Sequence, residues 1–126
     1  MSTQTQQPFT VQERTTAVYI ATIKDENDVG IPAASLTTLT LTLYTASGTI
    51  INSRDGQNVL NTNNVTVNTE GMLTWTMQPA DNAIIGANSP AIERHNALFE
   101  WTYGLAGIYS GKHEVYIHVT NLDQVS

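Results

Sequence analysis

Residues Thr37 to Thr45 (TTLTLTLYT) alternate without a break. Leu39, Leu41 and Leu43 share one face, and Thr38, Thr40, Thr42 and Tyr44 share the other. Strict period two predicts a β-strand with one buried and one polar face. The same alternation recurs in Met72–Met77, with Leu73, Trp75 and Met77 inward. His95–Tyr103 repeats it with Ala97, Phe99, Trp101 and Tyr103 inward. His113–Thr120 does so with Val115, Ile117 and Val119 inward. Thr15–Lys24 (TTAVYIATIK) is rich in β-branched and aromatic residues but apolar on both faces: Val18 and Ile20 on one, Tyr19, Ala21 and Ile23 on the other. Such a strand is central or covered by a partner. Val65–Val67 adds a short strand, and Thr49–Asn52 can return after the Ala46-Ser47-Gly48 turn as a hairpin partner.

Between the strands lie turn-formers. Asp25 to Pro32 breaks the first strand, and Asn68-Thr69-Glu70-Gly71 precedes Met72. Ser53–Leu60 has no period and predicts one helical turn capped by Ser53. Pro79–Ile84 predicts another, residues 85–92 a loop, and Gly104 to Gly111 a hairpin loop. Residues 1–12 lack apolar periodicity and contain Pro8, which predicts an extended arm outside the core. Together these features predict an all-β fold: an antiparallel immunoglobulin-like β-sandwich of about seven strands with an extended N-terminal arm. An orthogonal barrel is the competing architecture. The expected bounds are an arm over 1–13, a sandwich over 14–122 and a tail over 123–126.

Composition narrows the function. The 126 residues fit one domain. Charged residues make up 13%, about half the usual share, and 5 Lys+Arg stand against 11 Asp+Glu for a net charge of −6. That balance argues against nucleic acid as a partner, and Arg14, Arg54 and Arg94 are too few for a binding groove. No run approaches the ~18–20 apolar residues of a membrane span. The first ten residues have neither the basic nor the apolar region of a signal peptide, so none is expected. With no cysteine, disulfides and thiolate chemistry are excluded.

Candidate chemistry is sparse. Asp25, Asn27 and Gly30 fit positions 1, 3 and 6 of a calcium loop, but Val29 and Leu36 stand at positions 5 and 12, where oxygen ligands are needed. A solvated turn including Glu26 and Asp28 is the better account. His113 and His118 are an odd number apart on one strand and face opposite sides, while His95 belongs to another strand. Glu93, Glu100 and Glu114 could pair as acid and base, yet Glu93 and Glu100 fall on opposite faces. Gly104, Gly107 and Gly111 lack the Lys-Ser/Thr of a phosphate loop. Asn64-Val65-Thr66 is a formal glycosylation acceptor. Phe99, Trp101 and Tyr103 share a face, with Trp75 on another strand. They form either an inter-sheet core or, if exposed, a sugar-stacking or protein-docking platform. The expectation is no catalytic set, no metal and no cofactor.

The punctuation of the strands resembles a family of tailed-bacteriophage virion proteins. It is similar to the immunoglobulin-like N-terminal module of phage baseplate upper proteins and to small stand-alone virion proteins. The residues that carry the likeness span roughly 14–122. They are Asp28-Val29-Gly30-Ile31-Pro32, the alternating Leu39–Tyr44, Gly71–Met77, Pro79-Ala80-Asp81, Ala97–Tyr103 and Gly111–Val119. The resemblance implies a non-enzymatic virion structural protein, either a capsid decoration (cement) subunit or a head–tail or tail adaptor. Its partners would be capsid, portal or tail subunits. It would be multi-copy or homo-oligomeric in the particle, and made in the host cytoplasm. The alternative is a virion-borne carbohydrate or host-surface binding module. The expected contact residues lie on the arm and first strand: Pro8, Phe9, Val11, Val18 and Ile20.

Overall fold

The computed structural model describes residues 9–25, 27–85, 92–104 and 109–121. The described fold is all-β, in two sheets. The strands are β1 (Phe9–Gln12), β2 (Ala17–Thr22), β3 (Leu36–Thr45), β4 (Gln57–Asn58), β5 (Val65–Val67), β6 (Met72–Met77), β7 (Ile92–Tyr103) and β8 (Tyr109–Thr120). Short 3-10 turns occupy Ala33–Ser35 and Pro79–Asn82. One sheet runs β1-β8-β7-β3-β4 and the other β2-β6-β5. All pairings are antiparallel except β1 with β8.

The alternating strands bury the faces that their period requires. Leu39, Leu41 and Leu43 are fully buried, as are Trp75 and Met77 on β6 and Ile117 and Val119 on β8. The sheets meet through side chains such as Trp75 and Phe99, whose rings pack edge to face at 5.6 Å. Leu36 departs from the parity of β3 yet is buried. A bulge between Leu36 and Thr38 shifts the register against β7 and turns Leu36 inward with Leu39.

Four local expectations are corrected. Residues 9–12 belong to the fold: β1 pairs with β8, placing Val11 opposite Val119 and in the core. A four-residue segment is too short to show a period, so its pairing was not legible. Ser53–Leu60 forms no helical turn; Asn52 and Ser53 both take left-handed backbone angles, incompatible with a right-handed turn. The Arg54 carbonyl instead accepts from Leu43 N–H, and β4 follows at Gln57. The return over 49–52 is a single bridge, Tyr44 to Ile50, rather than a strand. Gly111 lies within β8, not in a loop, directly opposite Trp101. A Cβ there would sit 2.7 Å from the indole Nε1, so glycine makes room for the ring.

Two glycines of the turn motifs have a shared reason. A Cβ on Gly30 would strike the Glu70 carbonyl, and one on Gly71 would fall 2.6 Å from Ile31 N. The Asp25–Pro32 and Asn68–Gly71 turns therefore stack backbone on backbone. Ile23 N–H donates to Gly71 O and Ile31 N–H to Ile23 O, each at 2.8 Å.

Candidate functional site

The residues expected to make contacts divide sharply. Pro8 lies outside the described residues. Phe9 packs its ring edge-on against Tyr19 at 5.5 Å, and Val11 is buried. Val11 belongs to the protein's own core, and Phe9 packs against it from a partly buried position. Val18 and Ile20 are 50% and 56% exposed.

Those two side chains head a continuous patch on the outer face of the three-stranded sheet. The register sets Val18 opposite Thr76, Ile20 opposite Thr74 and Thr22 opposite Met72, with Thr66 on β5 opposite Thr74. Met72 is 40% exposed. None of these seven side chains carries a charge. Burial of Leu73, Trp75 and Met77 forces Met72, Thr74 and Thr76 outward. The parity of β6 therefore already contained Met72 as part of the patch, a residue that sequence reasoning left out.

The outer face of the five-stranded sheet is different. Tyr44 Oη donates to Glu114 Oε2 at 2.7 Å, which pushes the phenol up to about 12, with lesser help from burial. The Arg94 guanidinium lies over the Tyr116 ring at 4.2 Å and donates from Nε to Asn96 Oδ1. Farther along, Thr38, Thr40, Glu100, Thr102, Ser110 and Lys112 line a shallow depression.

The titratable candidates are dispersed. His95 is fully buried, with Nε2 2.7 Å from Glu93 Oε1, an oxygen that also accepts from Ile85 N–H. His113 sits at the inner rim, its Nε2 2.7 Å from Tyr19 Oη. Burial lowers the imidazole and raises the phenol. His118 lies on the outer face of β8, opposite Thr10 and Arg94. Glu100 is exposed on β7, on the opposite face from Glu93, and Glu114 is engaged by Tyr44. Asp25 Oδ1 accepts from Asn27 N–H and Val29 N–H, shaping the turn it belongs to. Among the described residues, no three of His, Asp and Glu converge as a metal site would require.

Trp75, Phe99 and Trp101 are buried, so these rings build core and leave no stacking platform. Tyr103 is half-buried and stacks on exposed Tyr109 at 5.4 Å. Sequence reasoning considered Arg54 only as one of three arginines too few for a nucleic-acid groove. The structure buries it against Asp81, and nothing local in the sequence announces the pairing. No helix among the described residues is long and apolar enough to cross a membrane. Compared with protein-family models, curated proteins and solved structures, the chain matches none.

Proposed function

We propose that this chain is a non-enzymatic structural protein of a tailed-bacteriophage virion, a capsid decoration or head–tail or tail adaptor subunit, built on an immunoglobulin-like sandwich. The strand order supports the architecture. β2-β6-β5 and β8-β7-β3 follow the B-E-D and G-F-C order of that fold, with β4 added beside β3. The first strand departs from the simplest version, because it lies beside β8 rather than β2.

The observation that carries the function is the uncharged face of Val18, Ile20 and Met72 among threonines. Docking there desolvates no charge, and the apolar side chains gain on leaving water. An interaction role needs such a face and no converging catalytic groups. The glycan-binding alternative draws on Trp75, Phe99, Trp101 and Tyr103, of which the first three are buried and only Tyr103, stacked on Tyr109, is partly open.

The test is purification from infected cells. The chain should appear in fixed stoichiometry with a capsid, portal or tail protein. Ile20→Lys should lower that ratio while the isolated variant stays folded. A chain that never accompanies a particle, or a variant that joins at the wild-type level, overturns the proposal.

A further inference from the structure

The edges of the two sheets are protected unequally. β5 is closed by its own loop: Asn61 Oδ1 accepts from Val67 N–H at 2.7 Å, and Thr62 O from Val65 N–H at 3.1 Å. β4 is only two residues long, and Asn63 Nδ2 donates to the Asn58 carbonyl. β1 has four residues. β2 has six, contains neither proline nor charge, and pairs on one side only among the described residues, with β6. A long, uncharged open edge is what natural sheets otherwise avoid.

The alternation of β2 places its open backbone groups and its exposed side chains on the same residues. Ile23 N–H donates to Gly71 O, so odd-numbered residues aim their amides at β6. Thr76 N–H points the other way, to Asn64 O, although Thr76 stands opposite Val18. Val18, Ile20 and Thr22 therefore direct N–H and C=O to the open edge. Val18 and Ile20 are also the two apolar residues that stand in water.

We propose that β2 pairs antiparallel with β2 of a second copy of this chain, joining two three-stranded sheets into one of six strands. The inference rests on reading the β2 face as a protein contact and names its occupant. The pleat excludes half of the registers, and apolar pairing chooses among the rest. A dyad between two residues would oppose Val18 to Ala21 and set an outward side chain against an inward one. A dyad through Tyr19 sets Val18 opposite Ile20 of the second copy, twice, each as a hydrogen-bonded pair of aliphatic residues. Two copies at −6 each repel overall, but β2 carries no charge, so the paired strands oppose no like charges to one another.

The test combines sedimentation equilibrium of the full chain with residue-level amide exchange. The expected result is a dimer whose population rises with concentration and barely changes with salt. Ile20→Lys, and separately Val18→Lys, should return it to monomer without altering the fold. Val18 and Ile20 amides should be slow in the dimer and fast on dilution, with Tyr19 slow in both. A chain that stays monomeric, or a dimer that survives both lysine variants, overturns the pairing. Protection that ignores concentration and disappears on deleting residues 2–8 assigns the edge to the chain's own N-terminal segment and also overturns it. A monomer that still binds a virion protein through Ile20 leaves the proposed function standing. A dimer that never joins a particle leaves only the pairing.

Discussion

Arg54 and Asp81 meet end to end in the interior: Nε lies 2.6 Å from Oδ1 and Nη2 3.1 Å from Oδ2. Both residues are nearly inaccessible to water. Such a pair is tolerable only when the remaining hydrogen-bonding positions are filled. Here Arg54 also donates to Gln57 Oε1, Asn63 O and Asn64 Oδ1, while Asp81 accepts from Asn52 Nδ2 and Gln78 N–H. The guanidinium lies 5.9 Å from the Trp75 ring centre. One ion pair thereby ties the β3–β5 connection to the turn after β6.

Removing one partner strands the other. Asp81→Ala should cost about 3–5 kcal/mol in urea unfolding, because a buried guanidinium loses its counter-charge. The double variant Arg54→Met/Asp81→Leu should recover much of that loss. A single variant with near wild-type stability would show that water reaches the site.

Leu41 is fully buried, whereas Ile20 is 56% exposed. Leu41→Ala should destabilise by about 2–5 kcal/mol through lost burial and the cavity left behind. Ile20→Ala should stay within about 0.5 kcal/mol in the monomer. Chemical denaturation of both at the same low concentration separates core from contact surface.

Truncation should have a sharp boundary. Deleting residues 2–8 leaves β1 intact. Deleting residues 2–12 removes β1 and Val11 with it. The longer deletion forfeits at least the ~1.5–3 kcal/mol of burying a valine and opens the β8 edge. Thermal melts of the two truncations should therefore differ, with only the longer one well below the full chain.

His113 makes stability fall on the acid side. Burial depresses its proton affinity in the folded state, so the unfolded chain binds the proton first. Its contribution is full above the ordinary value of about 6.5 and is lost as pH drops toward the lowered folded value. Substituting His113→Gln should flatten this part of the stability–pH curve relative to wild type. Parallel slopes for the two proteins would reject the assignment.

Tyr44 acts on the alkaline side with the opposite sign. Its phenol is raised to about 12 by the hydrogen bond to Glu114, so its contribution persists below about 10 and fades as pH climbs toward 12. Ultraviolet titration should show a late phenolate transition that moves to lower pH in Glu114→Gln. An unchanged transition would mean that the bond is not kept in solution.

Period two by itself settled the faces of β3, β6, β7 and β8, because alternation is a property of neighbouring residues and needs no partner to be read. Hence Leu41, Trp75, Phe99 and Ile117 were recognisable as core. It was silent wherever both parities were apolar or the segment was short. Val18 and Tyr19 are equally apolar, and only packing against β1 and His113 decided that Tyr19 turns inward and Val18 faces water. Four residues around Val11 carry no period, and their strand exists because β8 offers an edge far along the chain. Nothing around Arg54 in the sequence marks it as half of a buried pair, and only the fold brings Asp81 to it across 27 residues. Contacts of that kind depend on how distant segments close on one another, and no local pattern encodes them.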